Sequence, residues 1–224
     1  MVEREAEATL APLQVAAQRV LSGSRVLVVG CGDVGQRAAL LLSACGCEVY
    51  GMRRKTDGIV APIRPLRADV TDPRSLAALT ELGRFDYLVF ATAAGRSGEE
   101  GYRRLYLDGL GNVLNALAGA PPRRILWSSS TSVYHQNDGS SVDERSSVRP
   151  ASYNGKIMLE AEAALFASGM PASVVRFGGI YGPGRTRLID RVRAGIIPGA
   201  AGNLTNRMHS EDCARTLVHL LALD

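Results

Sequence analysis

The chain has 224 residues, 46% of them hydrophobic, which suffices for one full core at this length. No apolar run approaches the roughly 20 residues of a membrane span, and Glu3, Glu5 and Glu7 stand ahead of the first apolar stretch, against a secretory or transit leader; a cytoplasmic protein without membrane contact is expected. The net charge of +4 comes from scattered arginines with no basic run interleaved with aromatics, which argues against a nucleic-acid partner.

Residues 3–21 read as a helix, with Leu10, Leu13, Ala17 and Val20 at three- and four-residue steps. It is an N-terminal extension, residues 1–23, closed by Ser22-Gly23-Ser24. From Arg25 the pattern alternates. Strands are expected at Arg25–Val29, Glu48–Gly51, Pro65–Asp69, Tyr87–Ala91, Arg124–Ser128 and Ser173–Phe177. Helices are expected at Asp33–Ala44, Asp72–Leu82 (opened by Asp72-Pro73), Gly101–Leu117, Ala151–Ser168, Arg185–Gly195 and Ser210–Leu223. Apolar strands alternating with amphipathic helices predict an α/β fold: a doubly wound, Rossmann-type parallel sheet with helices on both faces. Residues 24–224 form that domain, with small substrate-lobe segments near 135–149 and 182–208.

The cysteines, Cys31, Cys45, Cys47 and Cys213, fit no zinc spacing and read as reduced, buried thiols. His135, His209 and His219 are far apart in sequence, and no metal site follows from them. Of 26 basic residues only Lys55 and Lys156 are lysine.

Gly30-Cys31-Gly32-Asp33-Val34-Gly35 is a G-x-G-x-x-G motif that follows a strand and opens a helix. In that context the first glycine makes a tight turn, the second lets the backbone approach a diphosphate, and the third lets helix pack on strand. The helix N-terminus offers N–H groups and the positive end of its dipole to phosphate. A dinucleotide cofactor is therefore expected. Its identity turns on charge. An NAD site usually carries Asp or Glu at the end of the second strand to hold the ribose 2′-OH. Here that stretch reads Val49-Tyr50-Gly51-Met52-Arg53-Arg54. Two guanidiniums suit a 2′-phosphate, so NADP is favoured over NAD.

Several segments line up with one family. Asp69-Val70 follows the third strand, and Ala91-Thr92-Ala93-Ala94 follows the fourth. Then come Ser128-Ser129-Ser130-Thr131-Ser132-Val133-Tyr134, Arg176-Phe177-Gly178-Gly179-Ile180-Tyr181-Gly182-Pro183-Gly184, and Asn206-Arg207-Met208-His209-Ser210-Glu211-Asp212. From about residue 24 to 224 the chain resembles the extended, NAD-dependent epimerase/dehydratase branch of the short-chain dehydrogenase/reductase superfamily. The resemblance implies cofactor contacts from Asp69 and Val70, from Ala91, Thr92 and Ala93, and from Phe177, Gly178 and Gly179. It also implies a catalytic Ser, Tyr and Lys: Ser130 to bond the substrate oxygen, Tyr153 to move its proton, and Lys156 to hold the nicotinamide ribose and favour the phenolate. The family spacing is Y-x-x-x-K, whereas Tyr153 and Lys156 are three apart and Ser152 takes the expected Tyr place. Residues at i, i+3 still share a helical face, so both remain candidates.

Two functions stay open. The leading one is an NAD(P)-dependent oxidoreductase or epimerase-like enzyme acting on a small hydroxyl or carbonyl, sugar-like substrate. The alternative is a non-catalytic NADP-binding sensor of the same fold, which the shifted Tyr–Lys pair favours. A serine hydrolase is excluded because no G-x-S-x-G elbow is present. A homodimer paired through sheet-covering helices is plausible for the resembled family.

Overall fold

The structure, a computed structural model, describes residues 15–95, 97–196 and 205–223. Six strands form one parallel sheet: β1 (Arg25–Val29), β2 (Glu48–Arg53), β3 (Arg64–Arg67), β4 (Tyr87–Phe90), β5 (Arg124–Ser130) and β6 (Ala172–Phe177). Their order is β3-β2-β1-β4-β5-β6, the Rossmann order expected from the alternating pattern. The direction of winding reverses between β1 and β4. Crevices for ligands form at the carboxyl ends of the strands on either side of such a switch point.

The strand side chains alternate between two cores. Leu27, Val29, Leu88, Phe90, Ile125 and Trp127 face one side; Val26, Val28, Tyr87, Val89 and Leu126 face the other. The first core is covered by α2 (Ala77–Glu81), α4 (Gly109–Leu117) and α5 (Tyr153–Ala167). The second is covered by α1 (Asp33–Ala44) and α7 (Ser210–Ala222), with Ala17 and Leu21 from the helical residues 15–21. The rest of the expected N-terminal helix, including Leu10 and Leu13, lies outside the described residues. No helix among the described residues is long and apolar enough to cross a membrane.

Several boundaries differ from the pattern, each for a local reason. The helix expected over Asp72–Leu82 is a 3-10 turn, Pro73–Leu76, followed by α2, because the Asp72 carboxylate accepts from the Arg74 N–H at 3.1 Å and closes a tight turn. The helix expected from Gly101 begins earlier, as α3 (Gly98–Arg103), and passes through a π-helical turn, Arg104–Asp108, into α4. Helix α5 starts at Tyr153 rather than Ala151, since the Ser152 hydroxyl caps it by accepting from the Gly155 N–H at 3.3 Å. Arg185 is not helical: α6 spans Arg187–Arg193, and Arg185 closes a turn onto Gly182.

A second, two-stranded parallel sheet was not expected. It pairs β7 (Gly179–Tyr181) with β8 (Arg207–His209). Strands of three residues are too short to register as an alternating pattern. The described part of the 182–208 segment consists of the turn closed by Gly182 and Arg185, helix α6 and the start of β8. Residues 135–149 form a largely exposed loop, gathered at its base by a Tyr134–Val148 bridge and by the Tyr134 hydroxyl donating to the Asp143 carbonyl at 2.8 Å.

Candidate functional site

A cleft of about 1000 Å³ opens over the carboxyl ends of the strands. At one end it is lined by Gly30, Gly32, Asp33, Val34, Arg53 and Arg54, with Asp69 and Val70 beside them. Ala91, Thr92 and Ala93 line its middle, and Ser130, Phe177 and Gly178 its other end. Four expected residues are not part of the lining: Gly35, Gly179, Tyr153 and Lys156.

Each glycine of the loop has its own atomic reason. Gly30 has φ +84°, and a Cβ there would stand 2.7 Å from the Ala91 and Thr92 backbone. A Cβ on Gly32 would meet nothing nearer than the Gly30 carbonyl at 3.9 Å, leaving room for a ligand to approach the backbone. One on Gly35 would strike that carbonyl at 2.3 Å, so this glycine serves helix–strand packing rather than the cleft wall. No side chain caps the start of α1, which leaves first-turn N–H groups for an anion. The buried Thr92 hydroxyl has no hydrogen-bond partner among the described residues. Together these features fit a dinucleotide.

At the end of β2, Arg53 donates to the Cys31 carbonyl at 3.3 Å and so spans the glycine loop. Arg54 and Lys55 are exposed and line the same end of the cleft. The Asp69 carboxylate is engaged by the Thr71 N–H and hydroxyl, both at 2.9 Å. Burial pushes the Cys31 thiol up to about 11, against the lowering pull of Arg53, which disfavours the thiolate.

At the opposite end, Ser130 closes β5, and its oxygen accepts from the Ser132 N–H at 3.1 Å. Its neighbour Ser129 donates to Glu162 at 2.6 Å. Glu162, only 3% exposed, receives two guanidinium hydrogen bonds from Arg176, at 3.0 and 2.6 Å. Arg176 also donates to the Tyr134 hydroxyl at 3.0 Å. This network ties β5, α5 and β6 together at Ser129, the residue before Ser130. Reading the sequence missed it, although a glutamate on the apolar face of α5, four residues after Met158, was a usable signal.

The phase of α5 decides what it offers the cleft. A Cβ on Gly155 would come within 2.2 Å of the Ser132 carbonyl, so α5 is pressed against the segment after β5 on that face. Met158, buried, lines the cleft. Lys156 lies two residues before it, about 200° away around the helix, and is exposed. Tyr153 is 39% exposed at the first turn, its ring edge-on to that of Tyr102 with centroids 6.0 Å apart. Tyr102 does line the cleft. Beside it, Tyr106 of the π-helical turn accepts from the Ala94 N–H at 3.3 Å and donates to the Thr92 carbonyl at 3.2 Å, bracing the segment after β4. Ser152, the residue at the expected Tyr place, commits its hydroxyl to the helix cap.

The sheet order and the glycine loop at the switch point define a dinucleotide-binding α/β protein. The model of the NAD dependent epimerase/dehydratase family matches residues 26–223, and the chain belongs to that family, within the extended short-chain dehydrogenase/reductase superfamily. It is similar to protein YeeZ of Escherichia coli strain K12, with 30% identity over 207 residues, covering 88% of this chain and 73% of YeeZ. It is also similar to a solved structure from Methylobacillus flagellatus assigned to the NAD-dependent epimerases/dehydratases (39% identity, TM-score 0.76, covering 89% of this chain and 70% of that one). A Thermus thermophilus UDP-glucose 4-epimerase solved with NAD shares the fold at 23% identity, TM-score 0.74, covering 89% of this chain and 74% of that one.

Proposed function

We propose that the chain is an NADP-preferring enzyme of the epimerase or oxidoreductase type, acting on a small hydroxylated or carbonyl, sugar-like substrate. The observation that carries the cofactor preference is the set of cations at the end of β2, Arg53, Arg54 and Lys55, where an NAD site would carry a carboxylate. When bound, the nicotinamide supplies a hydride acceptor or donor. Ser130 orients the substrate oxygen: its own oxygen is engaged by the Ser132 N–H, and its proton is the group it has to give. Tyr153, outside the lining but edge-on to the cleft-lining Tyr102, is the group assigned to the substrate proton. Glu162 and Arg176 hold the strand end that carries Ser130.

Titrating NADPH and NADH by fluorescence tests the cofactor assignment; equal affinities, or tighter NADH, would refute it. Incubation with NADP and a panel of nucleotide sugars and polyols, read by NMR of the products, tests the chemistry. Turnover that is lost in Ser130→Ala supports the enzyme reading.

One observation favours a second reading, a non-catalytic NADP sensor: the cleft-facing position on α5 is Met158, and Lys156 stands outside the lining. Tight NADPH binding with no turnover across the panel selects it.

A further inference from the structure

The first turn of α1 poses a charge problem for the proposed cofactor. A dinucleotide's diphosphate carries two negative charges, and the glycine loop that would receive it also carries Asp33. The molecule compensates from two directions. Arg37, one turn along α1, pairs with Asp33 at 2.9 Å and reaches on to Glu211 of α7 at 3.1 Å. Arg185 comes from 152 residues away, and its Nε meets the other Asp33 oxygen at 2.5 Å. Burial pushes the Asp33 carboxyl up, but hydrogen bonds from Arg185 and Arg37 outweigh it and hold the group below its ordinary value.

Arg185 is delivered by a tight turn. Its N–H donates to the Gly182 carbonyl at 3.0 Å. Gly182 and Gly184 have φ +138° and +78°, and a Cβ on Gly182 would come within 2.5 Å of the Ser210 hydroxyl at the start of α7. The turn is thus seated on α7 and reaches over the glycine loop. Arg185 lines the cleft beside Gly30 and Gly32. Only its Nε has a described partner, which leaves both Nη groups to donate.

We propose that Arg185 is a diphosphate-binding residue of the cofactor site, with Asp33 fixing its Nε so that the two Nη groups clasp the dinucleotide's diphosphate. The inference rests on the dinucleotide reading above. Asp33 is then an anchor for the clasp, and the guanidinium geometry matches paired phosphate oxygens.

Calorimetric titration of wild type, Arg185→Ala, Arg185→Lys and Arg54→Ala with NADPH, NADH, ADP and adenosine 2′-monophosphate tests it. Loss of a charge-assisted pair predicts that Arg185→Ala weakens NADPH, NADH and ADP alike, by about tenfold or more. Adenosine 2′-monophosphate, which has no diphosphate, stays within about twofold, and Arg185→Lys recovers part of the loss. Arg54→Ala gives the reverse pattern, weakening the 2′-phosphate ligands and sparing ADP. Unchanged ADP affinity in Arg185→Ala overturns the inference alone. So does an equal loss for ADP and adenosine 2′-monophosphate, which would mean a merely structural turn. A wild-type chain that binds no dinucleotide overturns the dinucleotide reading and this inference with it.

Discussion

The two ends of the cleft are built by different means. At the glycine-loop end, β1, the loop, α1 and β2 are contiguous in sequence, and six consecutive residues supply the turn, the open backbone and the close packing. At the Ser130 end the parts are not contiguous. Ser129 and Tyr134 from one stretch, Glu162 from α5 and Arg176 from β6 converge on one network. The first end lines its cleft with the residues expected of a glycine loop, whereas at the second the helix presents Met158 to the cleft and Lys156 stands outside the lining. A phosphate cradle made of backbone tolerates drift in side chains. A site made of side chains depends on the phase of the helix that carries them, and at Gly155 α5 lies too close to the Ser132 carbonyl to admit a Cβ.

The sharpest way to break the contrast is at that network. Glu162→Ala leaves Arg176 without its carboxylate and is expected to destabilise the fold by about 3–5 kcal/mol. Chemical denaturation measures this, and a loss below about 1 kcal/mol would mean that the Ser130 end is not held by that network. Next is Gly35→Ala, whose methyl would enter the space of the Gly30 carbonyl. Overpacking of this kind costs about 1–3 kcal/mol, and the displaced loop should lose dinucleotide affinity as well. Retention of full affinity would show that the loop's geometry is not what binds.

A smaller effect comes from pH. Cys31 is pushed by burial up to about 11 and Cys47 up to about 12, against an ordinary value of 9.0. Raised folded-state values mean that stability is full below 9.0 and falls as pH climbs through 11, because the unfolded thiols ionise first. Each thiol contributes up to about 1.4 kcal/mol per unit of that climb. Melting temperatures at about pH 8 and about pH 10 should therefore differ, and equal values would refute the assignment.

The smallest expected effect is at Lys156. As an exposed helix residue outside the cleft lining, its replacement by Ala should change stability by less than about 0.5 kcal/mol. Cofactor affinity, measured by fluorescence, should also stay within about twofold. A tenfold loss of NADPH affinity would restore Lys156 to the ribose and erase the contrast between the two ends.

Sequence by itself determined the sheet, the glycine loop and the basic end of β2. These depend on local periodicity and on residues that are neighbours in the chain, and the strand order β3-β2-β1-β4-β5-β6 agrees with it. Tertiary structure alone decided three things. It decided which face of α5 meets the cleft, because the Gly155 contact with the Ser132 carbonyl is a meeting of two segments and not a pattern in either. It placed Arg185, which in sequence opens a helix, in a turn on the glycine loop, because its partner Asp33 lies 152 residues away. And it put Glu162 in a buried pair, since only packing can remove a carboxylate from water and supply the guanidinium that makes its burial tolerable.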